Sequence, residues 1–350
     1  MNSKKLYQWV ERMSKDWSGF SHHFKKSLAV FSRGVVRAES SQIRKIAGMS
    51  GGKAESQRRR LQRFVKAEQN LGLFFAQWTR TVLKDLKLKE LVLVVDETKL
   101  KAKLGVMLVA LVYKERCIPL AWRIYPANDA KAYPKAGQSR MIIGLLKQIR
   151  AGLHSAMPVR VLADRGIGTS PLLMRGIGAM GWKFLFRVTK QSKIILSDGR
   201  AICFYAQVQA RGETYAATGL VFKKRGRIPA HVRVFWQEGG QEPWALVTND
   251  PALTGWEYAE RMWIEEGIRD LKSHGWDVEL ASLDSAQRMS HLWIILVVAY
   301  AWMLLWGTKL EEAGLSAPLR RRKAGKLGRT WSLFREGRQA FLTAASSPFT

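Results

Sequence analysis

The stretch "LVLVVDETKL", Leu91 to Leu100, decides how the rest of the chain is read. Its apolar residues run without alternation, as in a strand covered on both faces, and the reading ends the strand at Asp96. Downstream, "GVMLVALVYKERCIPLAWRIYP" reads as a hairpin turning near Lys114 to Arg116, and "SRMIIGLLKQIRAGL" has helical periodicity. "PVRVLADRGIGTS" repeats the first pattern, an apolar strand ending at Asp164, before a glycine-rich turn and the helix "SPLLMRGIGAMG". "WKFLFRV" is a fifth strand. The order strand, strand, strand, helix, strand, helix, strand predicts a mixed α/β sheet with helices on its faces.

Either side of this core the pattern changes. Residues 1–85 read as helices with short turns and carry 18 Lys/Arg against 6 Asp/Glu. Within them "SSQIRKIAGMSGGKAESQRRRLQRFVK" predicts two helices around a turn, with Ser40 or Ser41 capping the first and "SGG" at Ser50 to Gly52 ending it. Arg58, Arg59, Arg60 and Arg63 on the second helix suit a helix-turn-helix unit contacting DNA; they fit a solvated basic helix equally well. The α/β rhythm stops at about 189, and 189–250 reads as β-rich with a hairpin signal at Asp198 and Gly199. Regular structure returns over 251–290. The last segment, 291–350, is helical with a basic run, "RRRKAGKLGR", from Arg320 to Arg329.

Composition narrows the function classes. The formal net charge is +30, and so large an excess strains a compact fold unless a polyanion is usually nearby, nucleic acid first of all. Two distant cysteines, Cys117 and Cys203, exclude a disulfide framework and predict a reducing, cytoplasmic setting. No secretory signal is visible at the start, and "LWIILVVAYAWMLLWG", Leu292 to Gly307, reads as a buried core helix, so no membrane role is expected. The histidines are scattered and no P-loop lysine is present, which leaves neither a zinc site nor a nucleotide cofactor.

A lone aspartate at a strand end is usually a turn former. Two of them, Asp96 and Asp164, plus a later glutamate point to chemistry, because carboxyl ends of strands are where side chains converge. Three carboxylates at one point repel unless cations lie between them, and oxygen-only ligation suits Mg²⁺ or Mn²⁺.

The glutamate comes from "YAERMWIEEGIRDLK", Tyr258 to Lys272. Read as one α-helix, it puts Tyr258, Arg261, Glu265 and Lys272 within an arc of about 60°, beside an apolar stripe of Ile264, Ile268 and Leu271. Arg269 lies about 20° from Tyr258, whereas Glu266 falls about 80° away, so Glu265 is the ligand candidate and Glu266 the bystander. This spacing resembles the Y-R-E-K signature of bacterial insertion-sequence DDE transposases of the IS-four type, and the resemblance covers about Leu91 to Lys272.

That resemblance implies a ribonuclease-H-like catalytic core, 86–188 and 251–290, with 189–250 as a β-rich insertion, while the basic helical character of 1–85 predicts a DNA-binding domain there. It implies two Mg²⁺ or Mn²⁺ ions held by Asp96, Asp164 and Glu265. It implies double-stranded DNA as partner, both the element's terminal inverted repeats and the target, and a homodimer working on that DNA in the bacterial cytoplasm. The reaction implied is cleavage at element ends and strand transfer, through a DNA hairpin. Tyr258, Arg261, Lys272 and Arg269 would meet phosphates, and Trp244 in "WALVTND" would stack on a flipped base; a buried strand tryptophan is the alternative. A domesticated DNA-binding protein and a nuclease that cleaves without joining share these features. Glu97 departs from the pattern, since an extra acid beside Asp96 either faces away or perturbs the metals. Arg165, directly after Asp164, suits a phosphate contact, packing or a surface charge.

Overall fold

The computed structural model describes residues 3–350 except 85, 87, 130, 132, 224–225, 318–319, 322–326 and 347–350. The chain divides into two compact units, Leu71–Lys99 with Gly105–Glu266, and Met1–Asn70 with Leu100–Leu104 and Gly267–Thr350.

The first unit is built on one ten-stranded sheet. Its strands are β1 (Leu91–Leu100), β2 (Leu104–Tyr113), β3 (Arg116–Pro126), β4 (Val159–Ala163), β5 (Lys183–Arg187), β6 (Lys193–Ile195), β7 (Ala201–Cys203), β8 (Thr214–Val221), β9 (Ile228–Phe235) and β10 (Trp244–Thr248). They lie in the order β3-β2-β1-β4-β5-β10-β9-β8-β6-β7. The β2–β3 turn at Lys114 and Glu115 is the expected one, and both residues take positive φ, 44° and 63°, as a tight hairpin turn with a right-handed twist requires. β1, β4 and β5 run parallel, and every residue of β4 is buried, which accounts for their unbroken apolar sequences. β10 pairs antiparallel with β5 and carries the sheet on into β9, β8, β6 and β7, so the β-rich region extends this sheet. The hairpin expected at Asp198 and Gly199 joins β6 to β7, with Gly199 at φ 83°.

β1 does not end at Asp96. It continues to Leu100, because it leaves β4 after Val95 while remaining hydrogen-bonded to β2. Helices α5 (Leu71–Lys84), α6 (Gly137–Arg150) and α8 (Pro171–Gly178) belong to this unit. α5 is anchored by Trp78, whose Nε1 donates to the Pro119 carbonyl over 2.8 Å, and by edge contacts of Phe74 and Phe75 with Trp122.

The second unit is helical: α1 (Ser3–Ser14), α2 (His22–Ala38), α3 (Ile43–Met49), α4 (Ala54–Lys66), α10 (Ala286–Glu312) and α11 (Leu333–Ser346). The turn between α3 and α4 falls at Ser50 to Gly52 as expected, with Gly51 and Gly52 at positive φ. Neither serine caps α3. Gln42 is the residue at its N-cap, Ser40 Oγ accepts only from Gln42 N, and Ser41 Oγ donates to the Asp277 carbonyl. α10 is long and apolar enough to cross a membrane, yet 89% of its most apolar window is buried, as in a core helix. His291, turned inward, has its Nδ1 at 3.0 Å from the Val65 carbonyl, and burial pushes its pKa down. Of the basic run 320–329, residues 322–326 lie outside the described residues; Arg329 pairs with Glu311 at 2.6 Å.

α10 and α11 approach closely because glycine stands at both contact points. A Cβ on Gly307 would lie 1.9 Å from the Leu333 carbonyl, and one on Gly337 2.0 Å from that of Met303. Gly307→Ala is therefore expected to destabilise the protein by about 1–3 kcal/mol in urea unfolding, the usual effect of overpacking. Gly48→Ala in α3, where a Cβ meets nothing within 4 Å, should be neutral or stabilising. Equal midpoints for the two variants would remove the close crossing from the account.

Candidate active site

The parallel register of β1 and β4 builds the site. Leu91 pairs with Val159 and the pairing runs to Val95 with Ala163, so the next residue on each strand is an aspartate. Asp96 and Asp164 thus leave adjacent strands side by side, at a strand spacing of about 4.8 Å. Asp96 Oδ1 accepts from the Glu97 N–H over 2.9 Å, and Asp164 Oδ1 accepts from Ile167 N over 3.0 Å at the start of the short helix α7 (Arg165–Gly168).

The third carboxylate reaches them through an arginine. Arg261 Nη2 lies 3.3 Å from Asp96 Oδ1 and 3.9 Å from Asp164 Oδ2, and Nη1 makes a very short contact with Glu265 Oε1. One guanidinium therefore touches all three acids. The two aspartate oxygens, sharing one nitrogen, are at most about 7 Å apart. The side chains of Arg261 and Asp96 are each 15% exposed, that of Glu265 54%. Burial raises the Asp96 pKa, Arg261 opposes the rise, and Asp164 and Glu265 add to it. Burial disfavours the Arg261 charge, but Asp96, Tyr258 and Glu265 outweigh it and keep the group protonated. The buried Nε of Arg261 makes no hydrogen bond.

The segment carrying these groups is not one α-helix. Gly255, at φ 105°, opens a 3₁₀ helix over Trp256–Arg261, and α9 proper is Met262–Leu271. Tyr258 therefore does not share the α-helical phase of Glu265. It is buried, its ring meets Trp244 edge-on at 5.1 Å, and burial pushes its hydroxyl pKa upward. The apolar stripe is as expected, with Ile264 and Leu271 fully or nearly buried. Glu266 turns aside to Arg116, at 3.8 Å. Glu97 also turns away: it accepts a very short hydrogen bond from Tyr125 and one of 2.9 Å from Gln138 Nε2. Tyr125 fits because Gly105 has no Cβ, which would lie 2.4 Å from its ring.

The remaining residues singled out from the sequence fall elsewhere. Trp244 is half-buried between Phe235, at 5.5 Å, and Tyr258. Lys272 follows the end of α9 and its Nζ lies 3.7 Å from Glu279; Arg269 is exposed on the last turn. In α4, Arg58 and Arg59 both pair with Glu55, at 2.7 and 3.0 Å, while Arg60 turns inward to Ser27 Oγ and lies over the Phe31 ring. Arg60 and Arg63 line an open cavity of about 600 Å³ with His23, Phe24 and Phe64. Two features were not picked out from the sequence. Trp256, 56% exposed, stacks obliquely on Phe235 at 4.6 Å. Glu242 gathers three basic side chains, Arg165 at the start of α7, Arg187 at the end of β5 and Lys190 just beyond it. Glycine before Trp256 was the only local signal for the first, and no local signal existed for the second.

Three carboxylates meet the guanidinium, and their crowding calls for positive charge, so this all-oxygen set suits hard divalent cations. As placed, no three Asp, Glu, His or Cys among the described residues are close enough to hold one metal ion, so the side chains would have to turn inward to do so.

No curated protein matches the chain. Residues 87–302 match the family described as "Transposase DDE domain". The matched span runs from just before β1 into α10, and it contains Asp96, Asp164, Trp244, Tyr258, Arg261, Glu265, Arg269 and Lys272. With well over half its length matched, and with acids from two adjacent strands and a helix meeting at one arginine, the chain belongs to the DDE-domain transposase family.

Proposed function

We propose that the protein is an active DDE transposase of the IS-four type, in which Asp96, Asp164 and Glu265 are the catalytic carboxylates and Tyr258, Arg261, Glu265 and Lys272 form the Y-R-E-K signature. The observation that carries this reading is the convergence of the three acids on the Arg261 guanidinium. The strand order β3-β2-β1-β4-β5, with β1, β4 and β5 parallel, supports a ribonuclease-H-like core, and the strands β6–β10, within 189–250, supply the β-rich insertion.

In this reading Asp96, Asp164 and Glu265 hold Mg²⁺ or Mn²⁺. Held by these three carboxylates, such ions would supply positive charge against the oxygens of a phosphodiester under attack. The protein's own part is to place the strand. Arg261, held between Asp96 and Asp164 just before α9, turns its guanidinium to a backbone phosphate near the scissile bond. Tyr258 braces Trp244, whose half-buried ring keeps one side for a flipped base if excision passes through a hairpin. Lys272 and Arg269 are assigned phosphates by the motif, and the arginines of α4 are assigned the element ends. A homodimer on terminal repeats and target DNA, in the cytoplasm, completes the proposal.

Two expectations follow. Asp96→Asn, Asp164→Asn and Glu265→Gln should each reduce Mn²⁺-dependent cleavage and joining of plasmid-borne element ends by at least about 100-fold, with DNA binding retained, whereas Glu266→Gln should stay within about threefold of wild type. Cleavage without joining would identify a nuclease, and wild-type DNA binding without either reaction a domesticated binding protein. Secondly, Arg261→Gln should lose on the order of 3 kcal/mol in urea unfolding with chelator present, since it leaves Asp96 and Asp164 facing each other with no counter-charge. Millimolar Ca²⁺ should restore more stability to this variant than to wild type; an Arg261→Gln protein as stable as wild type in chelator would sink the counter-ion role.

A further inference from the structure

Glu242, in the loop before β10, is the meeting point of three cations that the three-acid site does not use. Arg187 Nη2 lies 2.6 Å from its Oε1, Arg165 Nη1 3.0 Å from the same oxygen, and Lys190 Nζ 2.8 Å from Oε2. Arg165 directly follows Asp164, Arg187 ends β5 and Lys190 lies just beyond it, so separate parts of the sheet aim basic groups at one point. One carboxylate against three cations leaves a net charge of +2. An ion pair needed only for stability would be balanced; this one carries a surplus suited to a larger or more highly charged anion. Glu242 itself occupies the place of that anion, its two oxygens taking contacts that phosphate oxygens also accept.

The position relates the cluster to the acids. Arg165 directly follows Asp164, and Arg187 pairs across β5 and β10 with Leu246, two residues beyond Trp244. Trp244, which Tyr258 braces, is two residues from Glu242. Arg165 and Lys190 are about half exposed, at 45% and 47%, and open to solvent, whereas Arg187 is only 20% exposed and fixed by its neighbours.

We propose that Arg165, Arg187 and Lys190 form a second phosphate subsite for the DNA strand whose scissile bond enters the three-acid site, with Glu242 as an internal stand-in that the incoming phosphate displaces. This rests on the transposase reading for the identity of the ligand. The stand-in keeps the cations gathered and correctly aimed in the free protein, and makes entry of a phosphate an exchange of one anion for another.

The test is binding of a fluorescein-labelled 25-bp duplex by the full chain, followed by anisotropy across a salt titration in EDTA. Removing the stand-in should strengthen binding: Glu242→Gln is expected to bind about five- to tenfold more tightly. Glu213→Gln is the control, because it makes the same charge change at an acid bonded to the backbone N–H groups of Gln209 and Ala210, and it should shift affinity less than about twofold. Lys190→Gln and Arg165→Gln should each weaken binding and reduce the slope of log K against log salt by about 0.9. Melting curves establish that each variant is folded. Equal gains in Glu242→Gln and Glu213→Gln, no gain in Glu242→Gln, or unchanged salt slopes in the two cation variants would overturn the subsite and leave a structural ion cluster. Because EDTA removes divalent ions, this result is independent of catalysis; wild-type protein inactive on element ends with Mn²⁺ would defeat the transposase reading while leaving the binding result readable.

Discussion

Asp96, Asp164 and Glu265 bring three like charges towards one partly buried corner, and the Arg261 guanidinium is what makes that corner tolerable. At an effective dielectric of about 20, two unit charges 7 Å apart still repel by about 2 kcal/mol. A guanidinium set between them reverses the sign of the nearest interactions, at 3.3 and 3.9 Å, while burial continues to resist every ionised group present. The corner is therefore electrostatically poised. It needs a cation, it contains one that is tethered by a side chain, and the tether is the last residue of the 3₁₀ helix, directly before the α-helix that supplies Glu265.

The sheet makes this crowding reproducible. Parallel pairing fixes Val95 opposite Ala163, and a slip of one residue would send one of the two aspartates to the other face. The slip is prevented by burial on both sides of β4 and of the first half of β1, where any shift would strand apolar side chains in the wrong layer. The same alternation that points Asp96 at the site points Glu97 away from it, towards Tyr125 and Gln138. Two adjacent acids thus have unrelated environments for a reason set by the pleat alone.

Much of this was legible in the residues, because strands buried on both faces announce themselves by unbroken apolar runs and their first polar residue marks where pairing changes. That logic found β1, β4 and both aspartates, and helical phase separated Glu265 from Glu266. It misjudged the end of β1, since apolar content reports burial and the stretch from Asp96 to Leu100 is held by backbone pairing with β2 while partly exposed. Helical phase also failed across Tyr258. An extended α-helical reading has no means of registering a 3₁₀ turn started by Gly255 and stabilised by aromatic contacts of Trp256 and Tyr258 with Phe235 and Trp244. In α4 the arginines were counted without their acid, although Glu55 sits three and four residues before Arg58 and Arg59, the spacing at which helical charges pair. Glu242 was beyond any local rule, because its partners lie 52 to 77 positions away along the chain.

The charge excess gives these acids a common meaning. With 58 basic and 28 acidic side chains, at least thirty cations have no acid of their own. In such a protein a carboxylate that attracts several basic groups gathers them at one place and fixes their directions. Glu242 does so for three cations and Glu55 for two, while at the three-acid corner the proportion inverts and three carboxylates share one arginine. The inversion is what distinguishes the two kinds of place in so basic a protein. Where cations exceed acids, a phosphate is the natural replacement for the carboxylate; where acids exceed cations, a metal ion is the natural replacement for the arginine. Under the proposed transposase function, a strand of DNA with divalent ions would supply both replacements at once, so the two kinds of charge defect would be met by one substrate and its cations.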